Sequence, residues 1–215
     1  MPLTSLTAYE ALFEQLELTF DKDKNNGKTI LIINGAGGVG SVATQLAHLA
    51  GLTVISTASR PESIKWTKEH GADYVVNHRE DLVKQVNELG YKYVEYILEL
   101  KDIDGHWKEM CKLIKPEGRI ASITENRNPI NLRLLTDKKA HFSWEWMYTK
   151  SYYQTDDMIT QHEILDKVAE MLDDGQLQCT LTRSISPLNA KNLREAHKLV
   201  ESGHMIGKVV VSDWE

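Results

Sequence analysis

Between Thr29 and Thr124 the chain alternates short runs of β-favouring apolar residues with longer segments whose apolar positions recur at helical spacing. Before this region, Thr7 and Glu10 stand at capping-box spacing, and Ala8, Ala11, Leu12 and Leu16 share a face, which predicts a helix over 7–18. A polar, glycine-containing loop follows over 21–27. The alternation then predicts strands over 29–33, 52–58, 74–77, 93–100 and 119–124. Helices are predicted between them over 39–50, 61–70 and 80–89, stopped by Gly51, Gly71 and Gly90, with a fourth carrying Trp107, Met110, Cys111 and Ile114 ahead of a turn over 115–118. Such regular alternation predicts the α/β class, as a doubly wound parallel sheet with helices on both faces.

Beyond Asn131 the pattern changes. A short helix over 131–136 precedes 140–146, where aromatic or small apolar residues alternate with polar ones, so a half-buried edge strand is expected. Such an edge must be covered by the chain's own helices or paired with the same strand of a second copy, giving a homodimer. A tyrosine-rich loop over 148–155 leads to a helix over 156–174, with Met158, His162, Leu165, Val168, Ala169 and Leu172 on one face. A strand over 176–185, a helix over 190–202 and a closing strand over 207–211 complete a single unit spanning 1–215.

The candidate chemistry lies where the first strand meets its helix. Gly35-Ala36-Gly37-Gly38-Val39-Gly40 is a G-x-G-x-x-G sequence between a strand and a helix, the context in which it signifies a dinucleotide-binding, Rossmann-type unit. Gly35 suits the tight turn, Gly37 the approach of a pyrophosphate, and Gly40 close helix–strand packing; the helix N-terminus presents free N–H groups to phosphate. Ligands on such sheets sit at the carboxyl ends of the strands, which selects Ser59, Arg60, Glu99, Leu100, Ile123 and Thr124 as further candidates. Glu99 is expected either at the nicotinamide side or facing solvent. The second strand ends in Ser56-Thr57-Ala58-Ser59-Arg60, with no carboxylate before Glu62. That neutral end favours NADPH over NADH, with Arg60, Ser59 and Lys65 available to a 2′-phosphate. The plainer reading makes Ser59 and Glu62 a capping box and leaves Arg60 and Lys65 solvated.

Composition narrows the classes. The 215 residues are 41% apolar and 26% charged, as in an ordinary globular protein. A net charge of −6, a pI near 5.8 and scattered basic residues argue against nucleic-acid binding. No signal sequence or bilayer-length apolar run is present, so a cytoplasmic protein without membrane attachment is expected. Cys111 and Cys179 form neither a disulfide framework nor a zinc motif and are expected in the core. His48, His162 and His197 fall in amphipathic helices as packing or surface residues, and no catalytic or metal-binding residue is nominated.

The segments PLTSLTAYEALFE, NGAGGVG, EHGADYVVNHRED, LIKPEGRI and AHKLVESGHMIGKVVV, in this order over nearly the whole chain, resemble the medium-chain dehydrogenase/reductase superfamily, within it the quinone-oxidoreductase and zinc-type alcohol-dehydrogenase-like branch. The resemblance implies that a β-rich GroES-like domain of about a hundred residues would precede Met1 and carry most catalytic groups. It implies a cofactor contact for His78 on the adenosine side. Zinc-using relatives take a cysteine ligand from the entry helix, and no cysteine occurs from Met1 to Phe20. The implied activity is zinc-independent hydride transfer from NADPH to a carbonyl, enone or quinone. The alternative is a nucleotide-binding sensor or regulatory module without turnover. A methyltransferase would need an acidic residue at the second strand's end, and none is there. Without its partner domain, the entry helix and the 176–185 strand are expected to expose apolar surface.

Overall fold

The computed structural model describes residues 1–214. At its centre is a six-stranded, wholly parallel sheet in the order β3-β2-β1-β4-β5-β6, formed by β1 (Thr29–Ile33), β2 (Thr53–Thr57), β3 (Tyr74–Val76), β4 (Val94–Glu99), β5 (Ile114–Ser122) and β6 (His141–Trp144). This is the doubly wound order expected for a dinucleotide-binding sheet, with its topological switch between β1 and β4. Every residue of β1 is buried, as a central strand covered on both faces requires. Ile30 and Ile32 pack into one layer with Leu12, Leu16, Val42, Leu46 and Ile164. Leu31 and Ile33 pack into the other with Leu82, Val86, Trp107 and Met110. The first layer holds α1 (Pro2–Tyr9), α3 (Gly38–Leu49) and α8 (Ile159–Asp173); the second holds α5 (Leu82–Glu88) and α6 (Ile103–Leu113). Around them lie α2 (Lys22–Asn25), α4 (Pro61–Glu69), α7 (Thr149–Tyr153) and, near the C-terminus, β7 (Leu181–Ile185), α9 (Ala190–Glu201) and β8 (Lys208–Val211).

Several local expectations are corrected. The entry helix starts at Pro2, and the Thr7 hydroxyl donates back to the Leu3 carbonyl at 3.0 Å, so Thr7 is no cap. Glu10 is buried rather than closing a capping box, and from Glu10 to Gln15 the helix widens to π geometry, with the Leu16 N–H reaching the Ala11 carbonyl. The apolar face of this helix is packed, leaving only Leu3 of its leucines substantially exposed. The loops over 21–27 and 148–155 each contain a short helix, α2 capped by Asp21 and α7. The 115–118 turn is a bulge within β5, where Glu117 takes a left-handed φ of 64° and its N–H donates to the Lys138 carbonyl at 2.7 Å.

The 176–185 strand shortens to β7. Residues ahead of it are tied instead to Gln45, whose Oε1 accepts the Gln178 N–H at 2.7 Å. β7 and β8 form a separate two-stranded parallel sheet; of the apolar residues over 176–185, Leu181 is exposed as expected while Leu177 is buried, and Leu193, Val200 and Val210 outside that segment also face solvent. Cys111 is buried, whereas Cys179 is exposed. His48, His162 and His197 are surface residues. Ala169, placed by periodicity on the inner face of α8, is also exposed.

The largest departure is at β6. Alternation would bury Phe142, Trp144 and Trp146. Phe142 is half-buried edge-on to Trp107, but Trp144 and Trp146 are about half exposed, and Glu145 between them is buried. Glu145 enters a polar cluster in which the Lys150 ammonium lies 2.7 Å from Glu14, 3.4 Å from Glu10 and 3.5 Å from Asp157. The Gln161 amide also donates to Glu10, at 3.0 Å.

Candidate functional site

The glycine turn is built from β1 outward. Asn34 takes a left-handed φ of 72°, its N–H donating to Thr57 Oγ1 at 2.8 Å, and the Gly37 N–H closes the turn onto the Asn34 carbonyl at 3.2 Å. Packing alone demands two of the glycines. A Cβ on Gly35 would lie 1.8 Å from Ser56 Oγ, and one on Gly40 2.2 Å from the Asn34 carbonyl oxygen. Gly37 caps α3, and helix geometry leaves the N–H groups of Gly38, Val39 and Gly40 without intrahelical acceptors at its positive end.

A cleft runs from this turn across the strand ends. Its wider part, about 360 Å³, is lined by Gly37, Gly38, Leu100, Lys101 and Lys208. It continues, through Asn34, Lys101, Gly203 and Met205, into a narrow end lined by Ala36, Ser59, Arg60, Ser63, His78 and Arg79. Most nominated residues therefore converge.

At the narrow end the Ser59–Glu62 capping box is not formed. Arg60 caps α4, its N–H donating to Ser63 Oγ at 3.2 Å, which places Ser59 and Arg60 at the mouth. The Arg60 guanidinium donates to the His204 carbonyl at 2.7 Å and pairs with Glu62 at 3.2 Å. Lys65 is not brought in; it is exposed on α4 and pairs with Glu69. His78 is half-buried with Nδ1 lacking a partner. Its burial, then the charges of Lys101, His106 and Arg79, pull its pKa down to about 4, so it stands neutral at physiological pH.

At the other end, Glu99 neither lines the cleft nor faces solvent. Fully buried, it accepts the N–H groups of Lys101 and Asp102 and the hydroxyls of Ser122, at 2.8 Å, and Thr124. It thereby fixes the turn after β4 against the end of β5. Thr124 is turned into this network, and Ile123 packs against the α1/α3/α8 layer.

Sequence reasoning missed Asn34, Arg79, Lys101, Met205 and Lys208. Carrying the strand-end rule one residue past Leu100 would have found Lys101. Nothing in the local pattern signals that the segment between α9 and β8 crosses to the glycine turn, where the Gly207 N–H donates to the Ala36 carbonyl at 2.9 Å.

These features fit a dinucleotide: bare N–H groups at a helix start, cations along the cleft, and an unpartnered imidazole nitrogen. Among the described residues no group of three or more His, Cys, Asp or Glu is placed to hold a metal ion. No helix among them is long and apolar enough to cross a membrane.

Residues 38–161 match the family model for zinc-binding dehydrogenases. A zinc-type alcohol dehydrogenase-like protein of Staphylococcus epidermidis is 44% identical over 212 residues, covering 99% of this chain and 63% of that protein. An NADPH-dependent alkenal/one oxidoreductase of Arabidopsis thaliana is 24% identical, over 98% of this chain and 45% of its own length. Among solved structures, a Rhizobium etli protein assigned to the zinc-dependent alcohol dehydrogenases superposes with a TM-score of 0.92 at 40% identity, over the whole of this chain and 63% of that one. Escherichia coli quinone oxidoreductase complexed with NADPH shares the fold, with a TM-score of 0.79 at 22% identity over 97% of this chain and 63% of its own. The chain thus spans less than two thirds of the length of these relatives. It belongs to the zinc-binding dehydrogenase family of the medium-chain dehydrogenase/reductase superfamily.

Proposed function

We propose that residues 1–215 form the NADPH-binding unit of a cytoplasmic, zinc-independent reductase that transfers hydride to a carbonyl, enone or quinone, with a GroES-like domain supplying the substrate side. The observation that carries the specificity is the narrow end of the cleft, where Ser59, Arg60 and Arg79 gather and no carboxylate closes β2. When bound, NADPH supplies the hydride. The chain's own residues hold and orient it: the α3 N-terminus takes the diphosphate, Arg60 and Ser59 the 2′-phosphate, and neutral His78 accepts a ribose hydroxyl at Nδ1. Leu100 walls the wider cleft, and Glu99 fixes the turn behind it.

Calorimetry decides the reading. NADPH is expected to bind at least tenfold more tightly than NADH, and Arg60→Ala to remove most of that preference, since a charge-assisted pair is worth about 1.5–3 kcal/mol. Binding of neither cofactor overturns the function, and tighter NADH binding overturns the specificity. An enzyme joined to its partner domain oxidises NADPH in the presence of quinones or enones. Binding without such turnover is the mark of a sensor module.

The free edge of β6, flanked by exposed Trp144 and Trp146, is the surface we assign to a two-fold homodimer.

A further inference from the structure

Residues 145–158 leave the sheet at the end of β6 and lead through α7 into α8. Only two of them are buried, and both carry ionisable groups: Glu145 and Lys150. Among the apolar residues of the segment, Met147 alone packs, half-buried, against the first core layer. Trp146, Tyr148, Tyr152, Tyr153 and Met158 are exposed, the Trp146 ring lying against Tyr148 and Tyr152 of the same segment. A stretch attached in this way is held by charge and hydrogen bonds rather than by apolar area, and it can open without the sheet.

Its socket is the widened part of the entry helix. The Lys150 ammonium donates to Glu14 at 2.7 Å and to the Thr160 hydroxyl at 2.8 Å, and lies 3.4 Å from Glu10 and 3.5 Å from Asp157. The Gln161 amide bridges Glu10 and the Met147 carbonyl, at 3.0 and 2.7 Å. The Glu145 carboxyl meets the side chains of Glu10 and Gln15. Four carboxyls thus face one ammonium. The side chains of Glu14 and Asp157 are 35% and 57% exposed, so water offsets their charge, whereas Glu10 and Glu145 are only 2% and 5% exposed. One shared cation cannot balance two such buried charges side by side, so the pair keeps a proton. That proton belongs on Glu145, which Lys150 does not reach and whose Oε1 has no donor facing it.

We propose that residues 145–158 form a proton-latched flap: protonated Glu145, donating to Glu10, pins the flap to the entry helix, and loss of that proton to solvent releases the flap while the sheet stays folded. Once ionised, Glu145 faces the Glu10 carboxylate without a cation of its own and turns to water, and Trp146 and α7 move with it. The sheet is wholly parallel, so β6 ends on the edge where β1 and β4 end and the cleft opens. The flap therefore stands at the ligand-binding edge, and its order there depends on pH.

The test is hydrogen exchange read by mass spectrometry on the full chain, comparing wild type with Glu145→Gln at pH 6 and pH 9, each pair at the same pH. Glutamine keeps the shape of the protonated acid and cannot ionise. With burial and Glu10 raising the Glu145 pKa to about 8, peptides within 145–158 should exchange alike in the two proteins at pH 6. At pH 9 they should exchange about tenfold faster in wild type, while peptides of β1 and β4 stay protected in both. Equal exchange of 145–158 in the two proteins at pH 9 overturns the latch, and so does loss of protection in the sheet together with the flap. A second measurement needs no change at Glu145: acrylamide quenching of Trp146, taken as the difference between wild type and Trp146→Phe, should rise with a midpoint near pH 8. A flat profile from about pH 6 to 9.5 overturns the proposal.

Discussion

Replacing Glu145 with glutamine should make the protein more stable at alkaline pH and leave it nearly unchanged at pH 5. Glu145 is 5% exposed, with Oε1 lacking a hydrogen-bond partner. Burial, and then the neighbouring Glu10 carboxyl, push its pKa from 4.5 to about 8. In the unfolded chain the same carboxyl ionises at its ordinary value. Between these limits the folded state keeps a proton that the unfolded state has released, so stability falls as pH rises through this window and levels off above it. At about 1.4 kcal/mol per pKa unit, the shift bounds the loss at roughly 5 kcal/mol. Lys150 and relaxation of the exposed edge reduce that to about 2 kcal/mol. Glutamine keeps the shape of the protonated acid and cannot ionise. Urea unfolding of both proteins at pH 5 and pH 8.5 should therefore give a stability difference near zero at the first pH and about 2 kcal/mol in favour of the variant at the second. A difference that does not change with pH would refute the assignment of a proton to this site.

Four further outcomes are expected. Gly40→Ala should cost about 3 kcal/mol or more, because its Cβ would stand 2.2 Å from a backbone oxygen. Gly90→Ala, with no neighbour within 4 Å but a φ of 95°, should cost only about 1 kcal/mol; urea midpoints compare the two. Glu99→Gln turns an amide NH₂ toward two of the four donors that the carboxylate now accepts and should lose about 2–4 kcal/mol of stability, with weaker NADPH binding in calorimetry. Trp144→Asp, on the exposed edge, should convert the proposed homodimer to a monomer by light scattering at micromolar concentration, without moving the urea midpoint of the monomer.

Period and punctuation made the sheet legible. β1, β2 and β4 are short apolar runs bounded by glycine turns or polar residues, and their helices carry unmistakable inner faces such as Val42, Leu46 and Ala47. Local pattern succeeds there because both faces of a central parallel strand are buried, so few polar residues interrupt it. The glycine turn was legible for a related reason: Gly35 and Gly40 are dictated by contacts with Ser56 and Asn34 close at hand. Lys65 was misplaced because one turn along a helix is a rotation as well as a distance, and the rotation set it beside Glu69 on the solvent face.

Glu145 and Lys208 show what local pattern cannot contain. Alternation around β6 assigns a side of the sheet to each residue, but it does not know that Glu10, some hundred and thirty positions earlier, is buried where Glu145 must turn. The widened helix at Glu10–Gln15 and the inverted burial of Trp144 and Glu145 are thus two sides of one arrangement, with Lys150 supplying the positive charge that holds it. The cleft follows the same logic. Its glycine turn is local, but its cations come from the ends of β2 and β4, from beyond β3, and from β8, four places that only the folded topology brings together. A sequence motif identifies where a phosphate can approach. The long-range contacts shape the rest of the cleft, which is why Lys101 and Arg79, outside the motif, line it together with Arg60.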